Sequence, residues 1–358
     1  MNLLHVAAAR APALTALAAC TLGGAACYAL HTPIPWMIGP LLTMAALRFF
    51  GLDVRAARGS RPVGQIVIST ALGLYFTPPV ARQVLAHWEL LVAAAIFATA
   101  LAYLGAFILS RWTDTDRTTA LFASVPGGAA EMANLGERFG ARSERIAIAQ
   151  SLRILLVVVV VPFAITWWGP HGAESYPMGG GRLDYAGLAA LLACATAGGI
   201  ALWFVGSPNP FMLGPLFVAI GLTVAGVDWS SVPTLLLNAA QVLLGCNLGS
   251  RFEREFMRSA PRFVIVVTLA TVATILVSAL FGALLARWSG LHAATLVLAT
   301  APGGIAEMCI TAKVLQLGVP LVTAAHVVRV IILVTTTAPV FRLLRGVLRR
   351  GDRPAGRS

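Results

Sequence analysis

The sequence predicts an all-α polytopic membrane protein. Its plan is two inverted repeats of five transmembrane helices, each with a re-entrant or broken Pro-Gly-Gly helical hairpin. Three observations lead there. Of 358 residues, 58% are hydrophobic and 11% charged, and mean hydropathy is +0.83; a soluble domain normally carries about 25% charged residues. Apolar runs of roughly 20 residues recur along the chain, each long enough to cross a ~30 Å hydrocarbon layer. Finally, Pro126-Gly127-Gly128-Ala129-Ala130-Glu131-Met132 returns 176 residues later as Pro302-Gly303-Gly304-Ile305-Ala306-Glu307-Met308.

The repeat reaches well beyond that motif. Pro33-Ile34-Pro35-Trp36-Met37-Ile38-Gly39-Pro40-Leu41 matches Pro208-Asn209-Pro210-Phe211-Met212-Leu213-Gly214-Pro215-Leu216. Gln65 falls opposite Gln241, Gln150 opposite His326 and Arg153 opposite Arg329. Chance likeness between two greasy segments does not keep prolines, glycines and charges in register, so one ancestral unit is used twice. In the first unit the apolar spans read as 11–30, 34–51, 62–79, 88–110 and 145–168. In the second they read as 185–205, 210–227, 232–250, 262–286 and 318–343. The first run continues into further apolar sequence without a small-residue cleavage site, so it reads as a retained span and not a signal peptide.

Segments 118–137 and 294–313 are the ambiguous ones. Each arm flanking Pro-Gly-Gly offers about eight residues, or ~12 Å of helix, less than half a bilayer. The arginines choose between hairpin and full crossing. With both segments re-entrant, Arg55/Arg58/Arg61, Arg138/Arg142/Arg145, Arg251/Arg254/Arg258/Arg262 and the C-terminal arginines all fall on one side, the cytoplasmic one. Both termini are then cytoplasmic and the membrane is the bacterial inner membrane. An odd number of spans per unit turns the second copy upside down. The domains follow: repeat 1 over 1–168, an inter-repeat loop over 169–184, repeat 2 over 185–346, and a basic tail over 347–358.

The formal charge of +12 sits in short loops and that tail, where anionic lipid headgroups are the expected partner and nucleic acid is not. Five cysteines in apolar segments form no CxxC, and read as small buried residues. Six scattered histidines have no metal-ligand spacing, and neither a Rossmann nor a P-loop signature occurs, so no metal, cofactor or enzymatic role is expected.

The candidate site follows from what a membrane interior tolerates. Broken backbone at bilayer depth is found only where protein buries it or a wet cavity adjoins it. Pro126, Gly127, Gly128 and Pro302, Gly303, Gly304 therefore mark either a polar site or a tight helix crossing that needs small residues. Glu131 and Glu307 each cost several kcal/mol in hydrocarbon unless protonated, paired or wet; they read as proton or cation sites, or as structural partners of arginines. Arg153 and Arg329 lie about three turns into their spans, too deep for easy snorkelling. Either they balance the glutamates in buried pairs, or their guanidinium groups clamp a carboxylate-bearing substrate. Gln65, Gln241 and His326 are supporting polar positions, and His326 has the chemistry of a proton relay.

These segments, SVPGGAAEM at 124–132, APGGIAEM at 301–308 and the paired PxPxMxGPL stretches, resemble the bacterial membrane AbrB family. The resemblance implies a duplicated membrane domain, a place among cation:proton antiporters and anion transporters, and labels that include regulation of gene expression and ammonia monooxygenase. It differs from the small soluble DNA-binding fold of the same name. The hairpins also look like those of sodium-coupled citrate and glutamate symporters, with a different tip sequence.

The expectation is an ion- or proton-coupled secondary transporter whose partners are a small solute and a coupling ion; a homodimer is compatible with it. The alternatives are an AbrB-type membrane regulator or sensor that acts indirectly on gene expression and, more remotely, a membrane enzyme.

Overall fold

The computed structural model describes residues 3–126, 129–168, 182–252 and 260–351. Gly127 and Gly128, most of the inter-repeat loop, the segment holding Arg254 and Arg258, and tail residues 352–358 lie outside the described residues. So does the side chain of Glu131. Among the described residues every regular element is a helix. In chain order these are α1 (Leu3–Ala29), α2 (Pro35–Phe49), α3 (Ser60–Gly73), α4 (Pro78–Ala86), α5 (Trp88–Trp112), α6 (Arg117–Ser124), α7 (Ala129–Arg138) and α8 (Ser143–Trp168). The second repeat gives α9 (Tyr185–Phe204), α10 (Pro210–Val224), α11 (Thr234–Gly249), α12 (Pro261–Ser289), α13 (Ala293–Thr300), α14 (Ile305–Val314) and α15 (Val319–Gly351).

Five stretches are long and apolar enough to cross a membrane: Pro12–Ala29, Trp88–Trp112, Ser143–Trp167, Tyr185–Phe204 and Pro261–Ser289. This is a multi-pass helical membrane protein. Four of the remaining expected spans are trimmed, while the fifth, 318–343, is covered from Val319 onward by the 33-residue α15. Helices α2, α3, α10 and α11 have 15, 14, 15 and 16 residues, about 21–24 Å at 1.5 Å per residue. The stretch read as one span over 62–79 in fact ends at Gly73, and the chain turns by 89° into α4. Pro78 and Pro79 explain this: neither donates a backbone hydrogen bond, and the residue before a proline avoids helical angles.

The chain forms two compact units, and these cut across the repeats. The first takes residues 1–86, 162–259 and 309–320; the second takes 87–161, 260–308 and 321–358. Each thus draws matching elements from both halves of the sequence.

In the first unit α2 packs between α1 and α11, while its counterpart α10 packs between α9 and α3. The exchange is reciprocal, each repeat's second helix resting on the other repeat's third. Glycine makes the close crossings. A Cβ on Gly39 would run into the backbone of Gly23 and Gly24, and one on Gly214 into the backbone of Gly198 and Gly199. Without a hydrophobic drive between helices in lipid, such backbone proximity supplies the attraction through dispersion. Both PxPxMxGPL stretches do the same job. Ile34 and Asn209 take left-handed conformations, φ 47° and 49°, and the following Pro35 and Pro210 open the helix, where a missing N–H costs nothing.

In the second unit the long counterparts α5 and α12 pack on each other, with Phe97 and Phe281 stacked at 3.9 Å. The short helix α6 lies along α5, and α13 along α12. Asp116 caps α6, accepting from the Thr119 N–H at 2.8 Å, as helix N-termini require. Arg145 ties the turn before α6 to α8, donating to Asp114 O at 2.7 Å and Thr115 Oγ1 at 2.9 Å.

Gly214→Leu should lower stability by about 3 kcal/mol or more, because the helix backbones must separate. Gly221→Ala, on the same helix with open space around its Cα, should be neutral or stabilise by up to about 1 kcal/mol. Thermal unfolding of the two purified variants checks both.

Candidate functional site

The Pro-Gly-Gly segments interrupt helix twice in the second unit. Helix α6 stops at Ser124 and α13 at Thr300, both of eight residues, so their last carbonyls face a region with little water to satisfy them. Matched side chains on α8 and α15 do it instead. On α8, Gln150 donates Nε2–H to Phe122 O at 2.9 Å and to Val125 O at 2.7 Å. One turn on, Arg153 donates Nη1–H to Ser124 O at 3.2 Å and Nη2–H to Gln150 Oε1 at 2.7 Å.

On α15, His326 Nε2 lies 3.0 Å from Leu298 O, the counterpart of Phe122 O. Arg329 donates Nη1–H to Ala301 O at 2.7 Å, the counterpart of Val125 O, and Nη2–H to Gly303 O. The His326 bond needs the proton on Nε2, which in a neutral ring leaves Nδ1 as an acceptor.

All four side chains are buried: Gln150 and His326 fully, Arg153 to 8% exposure and Arg329 to 4%. The arginines lie within Coulombic reach of one another. A buried cation needs compensation, and the helix ends supply it, since a helix C-terminus carries roughly half a negative charge. The guanidinium forks are therefore engaged with carbonyls and an amide. Each guanidinium thus places two of its five N–H donors on protein oxygens.

Glu307 occupies the third position of α14, and its carboxylate folds back onto Gly304, where any Cβ would collide with it. From this position a glutamate satisfies N–H groups of a helix's first turn. The protein thus places its own carboxylate at the N-terminal end of α14. Gly304 is needed here for space.

Pro126, Pro302 and Arg153 border one cavity of about 60 Å³ inside the second unit, room for about two waters. Its walls come from α5 (Ala98, Ala102, Gly105) and α12 (Thr271, Thr274, Ser278), with Ser124 and Thr300 at the ends of α6 and α13. Gln65 and Gln241 belong to the first unit instead. Gln65 donates to Asn209 Oδ1 at 3.4 Å, beside Arg61 at 3.3 Å, and Gln241 is buried on α11.

Sequence reasoning passed over the hydroxyls. Thr271, Thr274 and Ser278 follow i, i+3, i+7 spacing within an apolar span, one face of a helix, and that signal was available. Among the described residues no three His, Cys, Asp or Glu side chains come together as metal ligands.

Gln150→Leu would strand two buried carbonyls and one Arg153 donor, at about 1–3 kcal/mol for each orphaned group. Gln150→His copies the second repeat and should retain most of that stability. Melting temperatures of the two variants decide it.

Comparison with known proteins places the whole arrangement. A Bacillus subtilis (strain 168) protein named "Uncharacterized protein YhjN" is 28% identical over 340 residues, covering 87% of each chain. An Escherichia coli (strain K12) protein named "Putative regulator AbrB" is 21% identical over 319 residues, covering 88% of this chain and 91% of that one. The family model described as "Transition state regulatory protein AbrB" matches residues 36–345. Spanning both Pro-Gly-Gly motifs, both buried arginines and nearly all described helices, that match makes this chain a member of the AbrB family.

Proposed function

We propose that the chain is a secondary transporter of a small solute, coupled to an ion or proton, in the bacterial inner membrane. In this reading the two repeats are inverted five-span units with re-entrant hairpins, and both termini are cytoplasmic. The supporting observation is the cavity bordered by Pro126, Pro302 and Arg153. One break from each repeat reaches it, the arrangement by which duplicated transporters build central sites. At about 60 Å³ it is too small for organic ligands of drug size, which need roughly 300 Å³ or more. Glu131 and Glu307 are the proposed coupling groups, with Arg153 and Arg329 fixing the helix ends that shape the site. Gln65 and Gln241 are proposed as supports of the first unit. The role is binding and translocation, without catalysis. The basic tail is proposed to meet anionic headgroups, and a homodimer is compatible with this scheme.

The name of the Escherichia coli relative favours a second reading, a membrane regulator or sensor that binds a ligand without moving it. Flux separates the two. A transporter gives saturable uptake in proteoliposomes, whereas a sensor gives saturable binding and no flux.

Glu307→Gln keeps a side chain able to fold back on Gly304 but removes the titratable proton, so stability should hold within about 1 kcal/mol. Uptake in proteoliposomes should lose its pH dependence in this variant and in Glu131→Gln. Unchanged pH profiles in both would remove the glutamates from the coupling scheme.

Cysteine-accessibility labelling should place Arg138–Arg145 and Arg251–Arg262 on one side of the membrane. Opposite sides would end the hairpin topology.

A further inference from the structure

We infer that a basic recess in the first unit, formed by the loop joining α2 to α3 and the end of α11, binds a phosphate group carrying two negative charges, on a free phosphorylated solute or on a lipid headgroup. The site lies within the first unit alone and does not rest on the transport reading.

The recess has a volume of about 550 Å³, inside the range of roughly 300–1,000 Å³ usual for ligand pockets. Arg48, Arg55, Arg58 and Arg61 border it, together with Asn247 and Ser250 of α11, and no described carboxylate does. Asp53 answers one of the four charges, accepting from Arg55 Nε–H at 3.1 Å. Those two side chains are 73% and 72% exposed, so water screens the pair and it contributes little.

The donors that remain are open to the space. Arg58 makes no hydrogen bond or ion pair with the described residues. Arg55 keeps both Nη groups, and Arg61 spends only Nη2, on Asn209 Oδ1 at 3.3 Å. Arg55 and Arg58 are exposed side chains, and no unspent nitrogen of the half-buried Arg61 is closed off from solvent. Gly59, the N-cap of α3, also borders the recess, and no side chain caps that helix. The positive end of a 14-residue helix therefore adds to the field of the arginines. Asn247 holds this wall in place, donating Nδ2–H to Ser60 Oγ at 2.8 Å.

The connection itself does not call for such a cluster. The second repeat joins α10 to α11 with the same left-handed glycine, Gly226 (φ 75°) for Gly51 (φ 81°), and the same aspartate, Asp228 for Asp53. Yet the matching stretch 223–234 holds no basic residue, so the turn is made without arginine. A bias of basic residues toward one face of a membrane explains charge in a loop, but not its gathering around one recess.

Valence and chemistry follow. Like charges gathered with one weak counter-charge repel one another, and a doubly charged ligand offsets that more fully than a singly charged one. Guanidinium groups present planar, two-pronged donors that match the oxygens of a phosphate.

The test uses the full chain in nanodiscs of zwitterionic phosphatidylcholine, with ionic strength fixed by sodium chloride and mildly alkaline pH to keep phosphate doubly charged. Sodium phosphate and pyrophosphate are titrated by calorimetry. In a parallel arm cardiolipin replaces part of the phosphatidylcholine and the melting temperature is read. A saturable heat with the free anions identifies a soluble phosphate as the occupant; a saturable rise in melting temperature with cardiolipin alone identifies a headgroup. Arg55→Gln/Arg58→Gln, on exposed side chains, should weaken whichever response appears by about tenfold or more. Arg138→Gln, at an exposed arginine that ends α7 outside the recess, should leave it unchanged.

No saturable response in either arm, or an unchanged one in the double variant, would overturn the inference. An equal loss in Arg138→Gln would overturn it as well, by reducing the effect to diffuse surface charge.

Discussion

A helix that stops inside a membrane protein leaves carbonyls that no solvent reaches, and the second unit is organised around that constraint. Helices α6 and α13 are too short to cross a bilayer and end at Pro-Gly-Gly breaks. Proline ends the helix but does not satisfy the oxygens left behind. The long helices α8 and α15 carry the answer as pairs three residues apart on one face, Gln150 with Arg153 and His326 with Arg329. Cost and remedy fit together: the buried guanidinium groups find negative helix ends, and the helix ends find donors. Neither feature would be stable in apolar surroundings without the other.

The repeats are therefore matched in mechanism beyond sequence. Amide and imidazole differ chemically, yet Gln150 and His326 both serve the carbonyl four residues before their respective break, Phe122 O and Leu298 O. Where the halves diverge, the divergence is informative. Alanines on α5 and hydroxyls on α12 present different walls to one cavity, so a duplicated scaffold encloses an unsymmetrical interior. The first unit keeps the symmetry more strictly, because glycine crossings such as Gly39 and Gly214 leave no room for variation.

Much of this was legible in the residues. Composition and run length gave a helical membrane protein, and register between distant prolines and glycines gave the duplication. Pro-Gly-Gly breaks and deep arginines marked where polarity enters the bilayer. What the arginines bond was not legible. Counting charges gives no sign of the partial charge on helix ends, which exists only once those ends face the side chain. The span over 62–79 was misjudged for a local reason, since hydropathy reads through Pro78 and Pro79 while backbone hydrogen bonding does not.

By itself the sequence determined the helical class, the internal duplication and the positions of the breaks, because hydropathy, proline and glycine act locally. Tertiary structure alone decided that the compact units take half of each repeat, and that Gln65 and Gln241 belong to a different unit from Arg153. It also decided that Pro126 and Pro302, 176 residues apart, border the same small cavity. Those outcomes depend on which helix packs on which, and that depends on backbone proximity and hydrogen bonds between segments far apart in the chain, to which a periodic pattern carries no guide.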